Sequence, residues 1–111
     1  MKYLITESQF DKVIFKYLDN QDFIRIEISN RIYFANSEGD EYAKIRYDKI
    51  GGWCYIHYKL INEISTFFSM DKTDAEQVIG RWVENTLQMR ATGTWSLDNY
   101  LEAQWLRIPS N

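Results

Sequence analysis

The sequence holds a single cysteine, Cys54, and a single histidine, His57, among its 111 residues. One thiol cannot close an internal disulfide, and one Cys with one His cannot build a tetrahedral zinc site. The fold is therefore expected to need neither staple nor metal, and no motif calls for a cofactor. Proline occurs once and glycine five times, too few for a collagenous or low-complexity chain. No apolar run approaches the roughly 20 residues of a membrane span, and the opening "MKYLITESQF" lacks the apolar centre of a secretion signal. The expectation is a soluble, cytoplasmic protein without membrane contact. Cations are few as well: 13 Lys and Arg face 16 Asp and Glu, for a net charge of −3. That balance weighs against a bulk polyanion binder, because nonspecific phosphate affinity comes from clustered Lys and Arg.

What is present is apolar bulk. A 45% hydrophobic, 16% aromatic chain of this length can bury the core of one domain, residues 1–111. Its few cations are also concentrated, since residues 42–72 are net basic between two acidic flanks.

Thr6 and Gln9 in "TESQ" form a capping box that opens a first helix, and Phe10, Val13, Ile14, Tyr17 and Leu18 fall on one face of it. From Phe23 the period becomes two. Ile24, Ile26 and Ile28 alternate with Arg25 and Glu27, and Ile32 and Phe34 follow the turn-forming Ser29-Asn30. "SEGDE" at 37–41 marks another turn, residues 42–49 alternate again, and Gly51-Gly52 closes a hairpin. A two-residue glycine turn pairs Lys49 with Cys54, Tyr47 with Ile56, Arg46 with His57, Ile45 with Tyr58 and Lys44 with Lys59. The helical period returns at Leu60, which predicts helices over 60–69 and 73–88 around a bend at 70–72. Thr73 caps the second of these, ahead of a stripe of Ala75, Val78, Ile79, Trp82, Val83 and Leu87. "RATGTWS" ends it. Residues 96–105 fit either a short helix through Leu97, Tyr100 and Leu101 or a loop feeding an edge strand "QWLRI" before Pro109.

Two constellations could carry function. Ile64, Phe68, Met70, Ala75 and Val78, with small Ser65 at the close-contact position, resemble the helix-turn-helix pattern over residues 64–82. The likeness departs at Ser69, where glycine is usual, and at Ala75, where a larger aliphatic is common. It implies that Lys72, Thr73, Gln77 and Arg81 face outward, the last two as donors to base edges, with Asp71, Asp74 and Glu76 opposing phosphate. The plain alternative is a helical hairpin closing a core. The second constellation is the polar face of the glycine-turn hairpin, which collects Lys44, Arg46, Tyr55, His57 and Lys59 with Trp53 at its end. Aromatic, basic sheet faces hold single-stranded nucleic acids by stacking and phosphate contact. The plain alternative is an outer face packed against the C-terminal segment.

No nucleophile or carboxylate stands at a recognisable spacing from His57, so no enzymatic activity is expected. Cys54 alternates onto the apolar face as an inert thiol, and Gly51-Gly52 lacks the rest of a phosphate loop. "MKYLITESQ", "IHYKL" and "DAEQVIGRWVE" resemble segments of small proteins of marine bacteriophages and ocean metagenomes, a group without an assigned activity. That resemblance implies an origin and no mechanism. The expected architecture is α+β: an N-terminal helix, an antiparallel β-meander, and a helix-turn-helix-like pair with a C-terminal wing, a winged-helix-like arrangement. Its expected partner is nucleic acid, DNA ahead of RNA. The rival is a protein-interaction or self-association module in which the chain pairs as a homodimer.

Overall fold

The structure, a computed structural model, describes residues 7–97 and 104–109, with side chains from residue 10 onward. The capping box of Thr6 with Gln9 and the helical alternative through Tyr100 and Leu101 lie outside the described residues. Helix α1 (Glu7–Asp19) is followed by four antiparallel strands: β1 (Ile24–Ile28), β2 (Arg31–Ala35), β3 (Ile45–Asp48) and β4 (Trp53–His57). Helices α2 (Tyr58–Phe67) and α3 (Lys72–Leu87) come next, then β5 (Gly93–Leu97) and a short 3-10 turn, Gln104–Leu106. The sheet order is β1-β2-β3-β4-β5. The architecture is the expected α+β one of helix, meander and helical pair.

The C-terminal strand takes a specific place. β5 lies parallel to β4, with Tyr55 beside Trp95 and Cys54 beside Thr94, so it extends the main sheet. A parallel neighbour requires a crossover connection, and α2 and α3 supply it. Gly80 of α3 lets that crossover close, since a Cβ there would meet Thr94 Cγ2 at 2.6 Å.

One face of the sheet carries the helices. Ile32, Phe34, Ile45, Tyr47, Cys54 and Ile56 meet Ile14 and Leu18 of α1, Leu60, Ile61 and Ile64 of α2, and the whole α3 stripe of Ala75, Val78, Ile79, Trp82, Val83 and Leu87. Each fully buried large side chain in that set stabilises the fold by about 1.5–3 kcal/mol. Trp82 anchors the layer: its indole N–H donates to Asp19 at 2.9 Å, and its ring packs on Phe34 at 5.2 Å and Phe23 at 5.9 Å. Of the α1 stripe, Ile14 and Leu18 are buried and Phe10 and Tyr17 half-buried, while Val13 is 56% exposed.

The β3–β4 register corrects the expected one by two residues. Ile45 pairs with Ile56, Arg46 with Tyr55, Tyr47 with Cys54 and Asp48 with Trp53, so the loop is longer than the two glycines. Asp48 ends its strand bonded through its carbonyl to the Gly52 N–H at 3.1 Å, and both Gly51 (φ +89°) and Gly52 (φ +72°) take left-handed backbone. A shift of two preserves which side chain points to which face, so the division into apolar and polar faces survives. What does not survive is the Lys44–Lys59 pair and Tyr58 as a strand residue: β4 stops at His57, and Tyr58 and Lys59 open α2.

The helical pair forms as two separate helices around a bend at 68–71. Ser69 takes φ +51° in that bend, the left-handed conformation that glycine usually supplies there. Ser65 stitches the turn, its hydroxyl donating to the Met70 carbonyl at 2.6 Å and its carbonyl accepting the Met70 N–H at 3.0 Å. The cap differs from expectation. Asp71 occupies the N-cap position without a side-chain cap bond, and Thr73 lies within the first turn of α3. Glu76, its expected capping partner, accepts a hydrogen bond from Thr94 at 2.8 Å instead.

Candidate nucleic-acid interface

The nine residues anticipated for binding fall into two separate places. On α3, Lys72, Thr73 and Gln77 are exposed. Arg81 is committed to α1, where its guanidinium grips Asp11 in a bidentate pair at 2.6 and 2.9 Å. The groove beside it, about 650 Å³, is lined by Phe10, Asp11, Asp71, Asp74, Gln77 and Arg81, a set that is net acidic. Here α1 is fastened alongside α3 by the Asp11–Arg81 and Asp19–Trp82 bonds.

Of the remaining five, Lys44, Arg46, Tyr55 and His57 lie on the side of the sheet away from the helices, and Lys59 stands in the first turn of α2. Alternation in the observed register puts Lys44, Arg46 and Asp48 of the β3 segment, Trp53, Tyr55 and His57 of β4, and Gly93, Trp95 and Leu97 of β5 on that face, three abreast. Arg46, Tyr55 and Trp95 form the middle row. Trp53 lies over Gly93, where a Cβ would stand 2.5 Å from the indole, and its ring centroid is 5.9 Å from that of Trp95. Glycine is needed here because the indole occupies the space of a side chain.

The C-terminal segment crosses the same face. Ala43 N–H donates to the Leu106 carbonyl at 2.8 Å, Ile108 N–H to the Glu41 carbonyl at 2.9 Å, and Tyr42 bridges Arg107. This places Trp105 flat on Tyr55, with centroids 5.8 Å apart and planes 22° apart. Arg46 lies against both rings, its guanidinium carbon 4.9 Å from Tyr55 and 5.5 Å from Trp105. It donates to both oxygens of Asp48 at 2.7 and 2.8 Å and to the Trp105 carbonyl at 2.9 Å. Arg46 is thus a buried structural cation, 4% exposed, and Tyr55 is half-covered. Trp95 and Trp105 remain 54% exposed.

His57, Lys44 and Lys59 gather at one end of these rings. His57 caps α2, its Nδ1 accepting the Lys59 N–H at 3.1 Å, and its ring stacks on Tyr58 at 4.9 Å. Burial holds its pKa below the ordinary histidine value, and the charges of Lys44 and then Lys59 push it the same way. Neither lysine forms an ion pair with another described residue. At the other end, an open depression of about 510 Å³ is lined by Ile28, Asn30, Arg31, Tyr33, Asp48 and Pro109. Arg31 is half-exposed there, 3.8 Å from Asp48.

Trp95, Trp105 and Arg31 are surface groups that the sequence reading missed. Trp95 sits in a stretch read as a helix break, and no short-range signal tells that Gly93–Leu97 returns beside β4. Cys54, by contrast, lies on the helix-side face as expected, and burial pushes its pKa up to about 12. No cluster of His, Cys, Asp and Glu among the described residues is arranged to hold a metal ion, and no described helix is long and apolar enough to cross a membrane.

Comparison with protein-family models, with curated proteins and with solved structures finds no match for this chain.

Proposed function

We propose that the protein binds nucleic acid as single strands, on the open face of its sheet and not through α3. The observation that carries this reading is the juxtaposition of exposed Trp95 and Trp105, backed by Trp53 and Tyr55, with Lys44 and Lys59. Exposed indoles are costly to leave in water, and base stacking on such rings is worth about 1–3 kcal/mol per base. Lys44 stands one row from the rings, and Lys59 opens α2 beside His57. Two residues along a strand span about 6.6–6.8 Å, within reach of a phosphate attached to a stacked nucleotide. A duplex keeps its bases inside, so this face favours unpaired strands. The acidic net charge then limits nonspecific affinity and leaves stacking as the larger share.

The α3 surface is the weaker candidate. Its arginine is bound to Asp11, and Asp71 and Asp74 border Gln77, so phosphate approaching it meets carboxylates. The test is fluorescence titration of the protein with a single-stranded oligonucleotide and with a duplex, across a salt series. Stacking quenches tryptophan emission. Affinity for the single strand should fall with salt at a slope of about 0.7 per phosphate contact, and K44A with K59A should flatten that slope. Tighter binding to duplex, abolished by Q77A, would return the reading to α3.

A further inference from the structure

We infer that the free edge of β1 pairs with the same edge of a second copy of this chain, in antiparallel register about Ile26. β1 is the terminal strand of the sheet, hydrogen-bonded on one side to β2. The Asn30 carbonyl accepts the Lys49 N–H at 2.8 Å, and the Phe34 carbonyl accepts the Lys44 N–H at 2.8 Å. The even residues of β2 therefore turn their backbone groups toward β3, and its odd residues turn theirs toward β1. The partners of Arg31, Tyr33 and Ala35 are Ile28, Ile26 and Ile24. The backbone N–H and C=O groups of Arg25 and Glu27 thus point outward, unpaired by any strand among the described residues.

Sheet edges left open are normally guarded by proline, a bulge or charged side chains. β1 has no proline and pairs with β2 without a bulge. Its two charges are of opposite sign, and the segment Ile-Arg-Ile-Glu-Ile is self-complementary when reversed. Pairing about Ile26 sets Arg25 opposite Glu27 of the second copy, and Glu27 opposite its Arg25. Both pairs fall at positions whose backbone groups are free, so each exchanges its two main-chain hydrogen bonds, and opposite charges directly across an antiparallel pair are stabilising. Arg25 and Glu27 have side chains 47% exposed, with a loose contact of 3.8 Å to each other, and Lys49 holds the second oxygen of Glu27 at 2.7 Å. A carboxylate can accept from both neighbours and still receive Arg25 of the second copy.

On the opposite face, half-buried Ile24, Ile26 and Ile28 would meet Ile28, Ile26 and Ile24 of the second copy and lose their remaining water. The two-fold axis runs perpendicular to the sheet, so the joined sheet shows both tryptophan faces on one side and both helical layers on the other. This pairing does not depend on nucleic-acid binding. The contact is one five-residue strand edge from each copy, so the association is weak and concentration-dependent.

The test is sedimentation velocity of the full chain from about 10 μM to about 1 mM, for the wild type, R25E, E27R and an equimolar mixture of the two variants, each checked for folding by circular dichroism. Wild type should shift from monomer to dimer. R25E alone sets carboxylate against carboxylate, and E27R alone sets guanidinium against guanidinium, so each should weaken dimerisation about tenfold or more. In the mixture the doubly acidic strand of R25E faces the doubly basic strand of E27R, and association should return to within about threefold of wild type. A wild type that stays monomeric throughout, a dimer indifferent to both substitutions, or a mixture that does not recover would each overturn the proposal. R25Q, which loses attraction without adding repulsion, should fall between wild type and R25E.

Discussion

Replacing Arg46 with alanine probes how the C-terminal segment is fastened to the sheet. Arg46 is 4% exposed, bonded to both oxygens of Asp48 and to the Trp105 carbonyl, and lies against the rings of Tyr55 and Trp105. Removing one member of a buried ion pair costs about 3–5 kcal/mol, because the other charge is left without its partner. Asp48 retains 20% side-chain exposure and a second cation, Arg31, at 3.8 Å, which places R46A near the lower end, at about 3 kcal/mol including the lost cation–π contacts. Urea denaturation followed by far-UV circular dichroism measures the total. Emission from Trp105, which loses the guanidinium both from beside its ring and as the donor to its carbonyl, should shift to the red before global unfolding. Changing Arg46 to Met and Asp48 to Leu together removes both charges and should recover most of the loss. A loss under about 1 kcal/mol for R46A, or a double variant no better than the single one, would refute the claim that this pair is buried and coupled.

Other expectations follow from the same contacts. Phe68 is half-buried against Phe10 and Tyr17, so F68A should cost about 2 kcal/mol in a urea titration, below the roughly 3–5 of a fully closed site. His57 has a folded pKa depressed below its unfolded value of 6.5, so its contribution to stability is present above pH 6.5 and is lost as pH falls through the folded value. Thermal melts between about pH 7 and pH 5 should show the decline, and H57N, which can still cap α2, should reduce it. Burial, and next the hydrogen bond to Glu63, raise Tyr17 to about 12. An ultraviolet titration should find a tyrosine ionising near that pH, and E63Q should move it back toward 10.

Much of the fold was legible because its elements repeat a period. The α3 stripe is buried at every position the 3.6-residue spacing selects, from Ala75 to Leu87, and the strand faces survive even a register error of two. The error itself came from the loop. Gly-Gly is a strong two-residue hairpin signal, and nothing local says that Lys49 and Ile50 also leave the ladder. β5 was illegible for a related reason: "GTWSL" has weak alternation, and its pairing with β4 spans the whole helical crossover. The site divided along the same line. Lys44, Arg46, Trp53, Tyr55 and His57 share a face as alternation required, but burial of Arg46 depends on Trp105, some 59 residues away. The bend at Ser69 ran the other way: the sequence departed from the helix-turn-helix pattern there, yet the backbone adopts the conformation the pattern needs.

The most direct measurement is the affinity of wild type and W95A for one single-stranded oligonucleotide, by fluorescence anisotropy of the labelled strand at fixed low salt. Trp95 is half-exposed, with its ring packed on Trp53, so its removal should leave folding intact. Wild type should bind the single strand in preference to the duplex, and W95A should lose about 1–3 kcal/mol, a factor of roughly 5 to 150 in Kd. Equal affinity of W95A and wild type, or no binding by wild type at low salt, would contradict nucleic-acid binding on this face.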